Sequence, residues 1–195
     1  MNKSDILIVC ALEQETQGQL EDCDVLYTGV GKVNATYKLT QKFGKYGSYI
    51  PYDLVINYGT AGSRKLSIGE LVDCTNFIQR DMDVTGLGFM NHQTPFESPN
   101  KMVLLSTSEF NPIGKNYTCG TGDNFVESLE KGDSNIDVFD MEAYSLAKVC
   151  HFYETEFISF KYITDNVNGK SPEDWVTNCK NGAIKFREEV LGSLE

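Results

Sequence analysis

Short, continuous runs of apolar residues that alternate with helical patterns constrain the fold of this chain more than any other feature. Residues 6–12 and Leu54–Tyr58 are such runs, and neither has the apolar-polar alternation of a strand with one solvated face. Between them, Val25–Tyr27 predicts a short strand, and apolar positions recur at helical spacing from Lys32 to Phe43. Strands buried on both faces and separated by helices predict a mostly parallel sheet covered on both sides, which is an α/β fold.

The second half of the chain continues the pattern. Extended pieces are predicted at Leu71–Cys74, Phe77–Ile78 and Met102–Leu105, a helix after Asp140, a strand at Phe157–Ile163 and a helix from Pro172 to Leu194. Ser171 before that last helix is a typical N-cap residue, and proline fits the first helical position. The 195 residues contain no repeat or long linker, so we expect a single domain over residues 1–195.

Composition excludes several classes of protein. The chain has 17 Lys and Arg against 28 Asp and Glu, a net charge of −11, and its basic residues are scattered, which argues against a nucleic-acid-binding surface. The apolar run at residues 6–12 is too short for a membrane helix and has no basic leader, so we expect a cytoplasmic protein without a membrane partner. The six cysteines form no CxxC pair and are not spaced as metal ligands with His92 and His151, which predicts buried free thiols and no metal.

Acidic residues and glycine-rich turns follow the predicted strands. Ligands of such sheets lie at the carboxyl ends of the strands. Those positions hold Glu13–Glu15, Gly29–Gly31, Asn57–Gly62, Asp140–Glu142 and Asp165. The chain has neither the P-loop of nucleoside triphosphatases nor the dinucleotide-binding glycine pattern. Carboxylates without basic residues suit cleavage of a glycosidic bond, because they stabilise an oxocarbenium-like sugar and can move protons without a metal.

Seven segments in a fixed order extend this interpretation: Ala11–Glu15, Thr28–Ala35, Asn57–Gly62, Asp81–Thr85, Thr121–Val126, Asp140–Ala143 and Ile163–Asp165. Together they resemble the nucleoside phosphorylase/nucleosidase superfamily, and within it the 5′-methylthioadenosine/S-adenosylhomocysteine nucleosidases. The resemblance implies a three-layer α/β/α sandwich with a mixed, mostly parallel central sheet. It also implies hydrolysis of the N-glycosidic bond of a purine nucleoside, with release of the free base. No cofactor is expected, and the family's hydrolases are homodimers whose partner chain helps to close each pocket.

The resemblance also assigns roles to three carboxylates. Glu15 resembles the acid that activates the attacking water at the sugar C1′ atom. Glu142 resembles the carboxylate that holds the ribose hydroxyls. Asp165 resembles the acid that protonates the purine N7 and also bonds N6, so that the base leaves neutral. A proton donor near neutral pH suits burial at the end of an apolar strand, whereas an ionised Glu15 suits a more polar environment.

Further residues are implied to bind substrate. By the resemblance, Phe125 stacks on the base, the backbone of Val126 reads its edge, Met141 packs on the sugar, Thr60 lies near the nucleophile and Thr164 stands beside Asp165. The sugar and the 5′ substituent are expected to contact apolar residues, namely Leu12, Val30, Val84, Leu87 and Phe89. Such apolar contacts favour a thioether over a phosphate at the 5′ position. Pro172 and Trp175 are both candidates for covering the 5′ group.

Alternatives stay open at this stage. A phosphate-dependent phosphorylase would need arginine where Asn57 stands, although Arg64 and Lys65 follow the nearby turn. A non-catalytic nucleoside-binding module on the same fold is a second alternative, since fold does not fix function. The segment between Glu15 and Val25 is shorter than in bacterial nucleosidases. For that reason the 5′ substituent is left open. Adenine is the favoured base, because an Asp bonds an exocyclic amine directly but must be protonated to satisfy the carbonyl of a 6-oxopurine.

Overall fold

Apolar runs form the strands of one mixed sheet, and helices cover its two faces. The computed structural model describes residues 3–47, 49–97, 102–128, 133–166 and 171–194, with 171–178 and 180 described by their backbone alone. The strands are β1 Ile6–Cys10, β2 Val25–Tyr27, β3 Leu54–Ser63, β4 Leu71–Gln79, β5 Val103–Leu105, β6 Tyr117–Thr121, β7 Val138–Asp140 and β8 Glu156–Asn166. The α-helices are α1 Glu13–Thr16, α2 Lys32–Gly44, α3 Ala143–Phe152 and α4 Ser171–Glu189.

The sheet is mostly parallel, as predicted. Strand β1 pairs in parallel with β2 and β3, β3 pairs in parallel with β8, and β6 pairs in parallel with β4 and β7. Antiparallel pairs join β4 to β5, β4 to β8, and β3 to β7. Since β3, β8, β4, β6 and β7 pair in a closed sequence, this part of the sheet curls into a ring.

The alternation of side chains along β1 builds the three layers. Leu7 and Val9 point into one buried cluster, which α2 and α3 cover with residues such as Leu39 and Leu146. Ile6, Ile8 and Cys10 point into the opposite cluster, which α4 covers. A strand buried on both faces needs no polar face, which explains its unbroken apolar sequence. The predicted three-layer α/β/α sandwich is therefore confirmed.

Several element boundaries differ from the sequence prediction. The strand predicted to end before Gly59 continues to Ser63, because β8 pairs with β3 through the glycine-rich segment with one register shift between Ala61 and Gly62. The two pieces predicted around Cys74 and Phe77 form the single strand β4, which contains a similar irregularity. The first strand ends at Cys10 instead of residue 12, since Leu12 caps α1.

Two strands of the ring were not predicted. Strands β6 and β7 are five and three residues long, and both contain polar residues. Short strands of this kind give too little periodicity for recognition. By contrast, α2 begins at the predicted residue and ends one residue beyond the predicted end.

Membrane-spanning helices and disulfide bonds are both absent from the described residues. No helix in the described ranges is long and apolar enough to cross a bilayer. All six cysteines are free, and all except Cys23 are buried.

Candidate active site

One cavity of about 250 Å³ opens where β1, β3, β7 and β8 end. Nine of the residues predicted to contact substrate line it: Leu12, Glu15, Val30, Thr60, Phe125, Val126, Met141, Glu142 and Asp165. The remaining lining residues are Ala11, Ala61, Gly62, Asn124, Phe139 and Asp140. The cavity is thus mainly apolar with four carboxylates in its wall, which is typical of a small-molecule site with a few polar anchors.

Glu15 is held at the cavity wall by three hydrogen-bond donors. The short helix α1 places it there, and its side chain is only 4% exposed. The backbone N–H and the hydroxyl of Thr60 both donate to Oε1 at 2.8 Å, and the Leu12 N–H donates to Oε2 at 3.1 Å. An ionised carboxylate only accepts hydrogen bonds, so these donors match that form. The polar environment expected around Glu15 is therefore provided by these three donors and not by solvent.

Gly59 explains how Glu15 can approach the sheet so closely. A Cβ atom at Gly59 would lie 3.1 Å from Glu15 Oε1 and 3.5 Å from Lys161 Nζ. A side chain at this position would therefore crowd Glu15 by a few tenths of an ångström and would only touch Lys161, which gives Gly59 a packing reason.

Glu142 lies just before α3 and faces the N-terminus of α2. The Gly31 N–H donates to its Oε1 atom at 2.7 Å. Gly31 has a φ of +94°, which glycine adopts without strain, and this orients its N–H toward the carboxylate. Burial, followed by the nearby charge of Asp140, raises the pKa of Glu142 to about 8.

Asp140 and Lys161 form a buried ion pair behind the cavity. Lys161 Nζ lies 2.8 Å from Asp140 Oδ2, and both side chains are 1% exposed. Burial alone would raise the pKa of Asp140, but Lys161 and the donors Thr121 and Ala143 outweigh it and lower that pKa. Burial would lower the pKa of Lys161, but the Asp140 charge outweighs it and raises that pKa above its usual range. Both groups are therefore charged in the folded protein.

This ion pair corrects one expectation from the sequence. The strand ends were expected to bring carboxylates together without basic residues, but Lys161 lies among them. The missed signal was visible, because Lys161 is the one charged residue within the apolar run Phe157–Ile163. A charged residue in a strand buried on both faces requires a buried partner.

Asp165 stands at the end of β8 and is 3% exposed. The hydroxyl of Thr164 donates to its Oδ1 atom at 2.9 Å. Thr164 itself does not line the cavity; it lies beside Asp165, as the sequence suggested, and its hydroxyl also lies 3.5 Å from the carbonyl oxygen of Ala61, a lining residue.

The segment after β6 forms another wall. Asp123 accepts from the Lys32 N–H at 2.8 Å and donates its own N–H to Asp81 Oδ2 at 3.0 Å. Lys32 Nζ contacts Asp81 Oδ1 at 2.5 Å. Three of the sequence segments that carried the resemblance are thereby linked next to Phe125, which is 44% exposed at the cavity mouth.

Other predicted residues lie elsewhere. Val84, Leu87 and Phe89 do not line this cavity; Leu87 is 75% exposed, and Phe89 packs against Phe96. The lining of this cavity, in a single chain, therefore does not support the prediction that Val84, Leu87 and Phe89 contact the sugar. The side chains of Pro172 and Trp175 lie outside the described residues.

The positions considered for a phosphate site are also away from the cavity lining. Lys65 pairs with Asp137 at 2.7 Å, and Arg64 is exposed. Asn57 is 2% exposed, donates to Val9 O at 3.0 Å and accepts from the Ser159 hydroxyl at 2.8 Å, so its amide joins three strands.

In the described part of the chain, no group of three or more His, Cys, Asp or Glu side chains could hold a metal ion.

Comparison with known proteins places the chain in a family. A family model described as "Phosphorylase superfamily" matches residues 13–194. The chain belongs to this superfamily. It is 32% identical to a 5′-methylthioadenosine/S-adenosylhomocysteine nucleosidase of Shewanella loihica, an alignment that covers 81% of this chain and 75% of the relative. It is 28% identical to the nucleosidase of the same description from Bacillus velezensis, covering 92% of this chain and 84% of the relative.

Solved structures share the fold of this superfamily member. A Helicobacter pylori nucleosidase variant with 5′-methylthioadenosine in its active site superposes with a TM-score of 0.83 at 21% identity, covering 99% of this chain and all of that one. A futalosine hydrolase of the same organism superposes with a TM-score of 0.82 at 20% identity, covering 96% of this chain and 97% of that one. At such identities, the similarity establishes the fold and leaves the substrate to other arguments.

Proposed function

We propose that this chain hydrolyses the N-glycosidic bond of an adenine nucleoside such as 5′-methylthioadenosine or S-adenosylhomocysteine and releases free adenine. The observation that supports this most strongly is the convergence of Glu15, Glu142 and Asp165 in one apolar cavity. The similarity to nucleosidases over most of the chain supports the same reaction.

The proposed mechanism divides the work among these carboxylates. Glu15, held by Thr60 and Leu12, polarises a water molecule for attack at C1′. Asp165 donates a proton to N7 of the purine, so the leaving base carries no negative charge. The carboxylate of Glu15 stabilises the oxocarbenium-like sugar.

Other lining residues hold the substrate. Glu142 accepts hydrogen bonds from the ribose hydroxyls, and Met141 packs against the sugar. Phe125 stacks on the adenine, and the backbone of Val126 reads its edge. Leu12 and Val30 contact the sugar and the 5′ substituent, where an apolar wall favours a thioether.

Water is proposed as the nucleophile in preference to phosphate. Lys161 lies close to Glu15, since a Cβ atom at Gly59 would be 3.1 Å from Glu15 Oε1 and 3.5 Å from Lys161 Nζ. The charge of Lys161 is already neutralised by Asp140 at 2.8 Å. Asn57, at the position where a phosphorylase needs arginine, is a neutral amide bound within the sheet. A phosphate dianion beside Glu15 would therefore be repelled.

The deciding experiment measures adenine release by chromatography from methylthioadenosine, S-adenosylhomocysteine and adenosine, with and without phosphate. We expect release without phosphate, and more from the two thioethers than from adenosine. A rate that is negligible without phosphate and saturates with it would identify a phosphorylase. Measurable binding without cleavage of any of the three would identify a non-catalytic module.

Replacement of Asp165 tests the proposed general acid. Asp165→Asn keeps the side-chain shape but removes the proton, so we expect kcat to fall by about a hundredfold or more. Asp53→Asn, at an exposed position outside the cavity, is the matched control and should retain wild-type kcat. Near-wild-type turnover of Asp165→Asn would remove Asp165 from the mechanism.

We also propose that the chain works as a homodimer in the cytoplasm. The family resemblance and the exposed apolar residues on the outer faces of α2 and α3 support the dimer. The free cysteines support a reducing compartment.

A further inference from the structure

Arg80 is a buried cation next to the cavity for which the proposed mechanism has no use. It follows β4 directly, is 4% exposed, and donates its backbone N–H to Thr121 O at 2.8 Å. Its guanidinium Nη2 donates to the side-chain Oδ1 of Asn124, a residue that lines the cavity. Among the described residues, its Nε has no hydrogen-bond partner. Burying an arginine is costly, so its position calls for a reason.

The guanidinium of Arg80 packs closely over Gly122, where no side chain intervenes. A Cβ atom at Gly122 would lie 2.9 Å from Arg80 Cζ and 3.3 Å from Nε, closer than packed atoms normally approach. The Arg80 carbonyl accepts a hydrogen bond from His92 Nδ1 at 2.7 Å. The side chain of Arg80 therefore lies against the segment that carries Phe125, and its backbone is bonded to the loop at His92.

This contact determines the orientation of the Asn124 amide. A guanidinium only donates hydrogen bonds, so the carbonyl oxygen of Asn124 must face Arg80. The amide nitrogen Nδ2 then faces away from Arg80, and no described residue accepts a hydrogen bond from it. Asn124 lines the cavity and is exposed, so its Nδ2 atom is accessible to a ligand bound there.

We propose that Asn124 determines substrate specificity by donating a hydrogen bond from Nδ2 to a ring nitrogen of the bound purine, and that Arg80 is the positioning residue that orients it. This inference rests on the proposed function, which places the neighbouring Phe125 and Val126 on the base. Because Asp165 takes N7, the acceptors left on an adenine ring are N1 and N3. A substrate whose ring lacks that acceptor loses the interaction.

Variants of Asn124 provide the main test, with methylthioadenosine as substrate. Asn124→Ala removes the donor, so we expect KM to rise about 3- to 10-fold with kcat within about twofold, the size of one neutral hydrogen bond. Asn124→Asp keeps an oxygen for Arg80 but replaces the donor with a second acceptor and adds a negative charge, so it should raise KM at least as much as Asn124→Ala. A purely structural contact predicts an unchanged KM for Asn124→Asp, and that result would overturn the proposal.

Variants of Arg80 test the positioning role. Arg80→Met should raise KM by a similar factor, because Asn124 then rotates freely. The double variant Arg80→Met/Asn124→Ala should be no worse than Asn124→Ala alone, since both changes remove one interaction. Additive effects on KM would contradict an action through Asn124. If Arg80→Met fails to fold, the Asn124 pair decides alone.

Substrate analogues identify the acceptor and separate this inference from the proposed function. If the acceptor is N1, wild type and Asn124→Ala should have equal KM for the 1-deaza analogue of methylthioadenosine; if it is N3, they should have equal KM for the 3-deaza analogue. If the two proteins differ in KM for both analogues as much as they do for methylthioadenosine, the ring-nitrogen contact is overturned. If wild type cleaves no nucleoside, the proposed function fails. Calorimetric binding of methylthioadenosine then tests the contact, with Kd expected to rise about 3- to 10-fold in Asn124→Ala.

Discussion

At the scale of single residues, Glu142 links protonation to both stability and binding. Its pKa of about 8 in the folded protein exceeds its usual 4.5, so a bound proton favours the folded state. Its contribution to the free energy of unfolding is therefore lost as the pH rises from about 4.5 to about 8 and changes no further above that. The shift corresponds to at most about 5 kcal/mol.

Glu142→Gln tests this behaviour. Because glutamine does not titrate, the loss of stability toward pH 8 in urea unfolding should shrink in the variant. If ribose hydroxyls donate to ionised Glu142, kcat/KM of wild type should also rise with pH to a plateau above about 8, and the variant should lose this rise. Glu188→Gln, at an exposed position on α4, is the control and should match wild type. Identical pH profiles for Glu142→Gln and wild type would refute the assignment.

The buried Asp140–Lys161 pair gives a second prediction at this scale. Lys161→Met leaves the Asp140 charge buried without its partner, so the free energy of unfolding should fall by about 3 to 5 kcal/mol. Adding Asp140→Asn removes that charge, so the double variant should lose less than the sum of the two single variants. Urea unfolding of the single and double variants measures this coupling, and simple additivity would show that the two groups act independently.

At the scale of elements, α4 packs against the sheet at Gly182. A Cβ atom there would lie 2.6 Å from Tyr58 Oη and 2.7 Å from Tyr162 Cγ. We expect Gly182→Ala to destabilise the protein by about 1 to 3 kcal/mol, because the overlap outweighs the better helix propensity of alanine. Gly44→Ala, at the end of α2 with no atom within 4 Å of the added Cβ, should be neutral or slightly stabilising. Thermal unfolding of both variants checks this, and equal effects would contradict it.

The same scale shows which elements the sequence could predict. Strands β1 and β3 were recognised because burial on two faces leaves a continuous apolar run, and helix α2 because burial of one face leaves apolar residues at helical spacing. The end of β3 was not, because Gly59, from which the sequence predicts a turn, lies within the strand, where the lack of a side chain lets Glu15 approach closely. Strands β6 and β7 depend on partners distant in sequence, and local patterns do not carry that information.

For the candidate site, the sequence predicted nine of the fifteen residues that line the cavity, but not the contacts behind them. Glu15, Glu142 and Asp165 follow or precede strands, so topology alone brings them together. The pairing of Lys161 with Asp140 and of Arg80 with Asn124 depends on tertiary packing, which spacing along the chain does not encode. Residues that neutralise or orient the lining residues are therefore harder to predict from sequence than the lining residues themselves.

At the scale of the whole molecule, the outer surface of α2 and α3 is unusually apolar. Val33, Tyr37 and Phe152 are 78%, 59% and 74% exposed, and all three line one groove between the two helices. Exposed apolar groups that lie together typically mark an interface, and a second copy of the chain is the occupant that the proposed homodimer supplies.

The double variant Val33→Glu/Phe152→Glu tests this arrangement. Burying two added carboxylates against a second copy would be costly, so the variant should shift from dimer to monomer in size-exclusion chromatography with light scattering. Tyr49→Glu, which changes a 76% exposed aromatic residue outside the groove, should remain a dimer. If the partner chain completes each pocket, adenine release should fall in Val33→Glu/Phe152→Glu and stay at the wild-type level in Tyr49→Glu. A monomeric wild type, or a double variant that dimerises as wild type does, would place the interface elsewhere or exclude it.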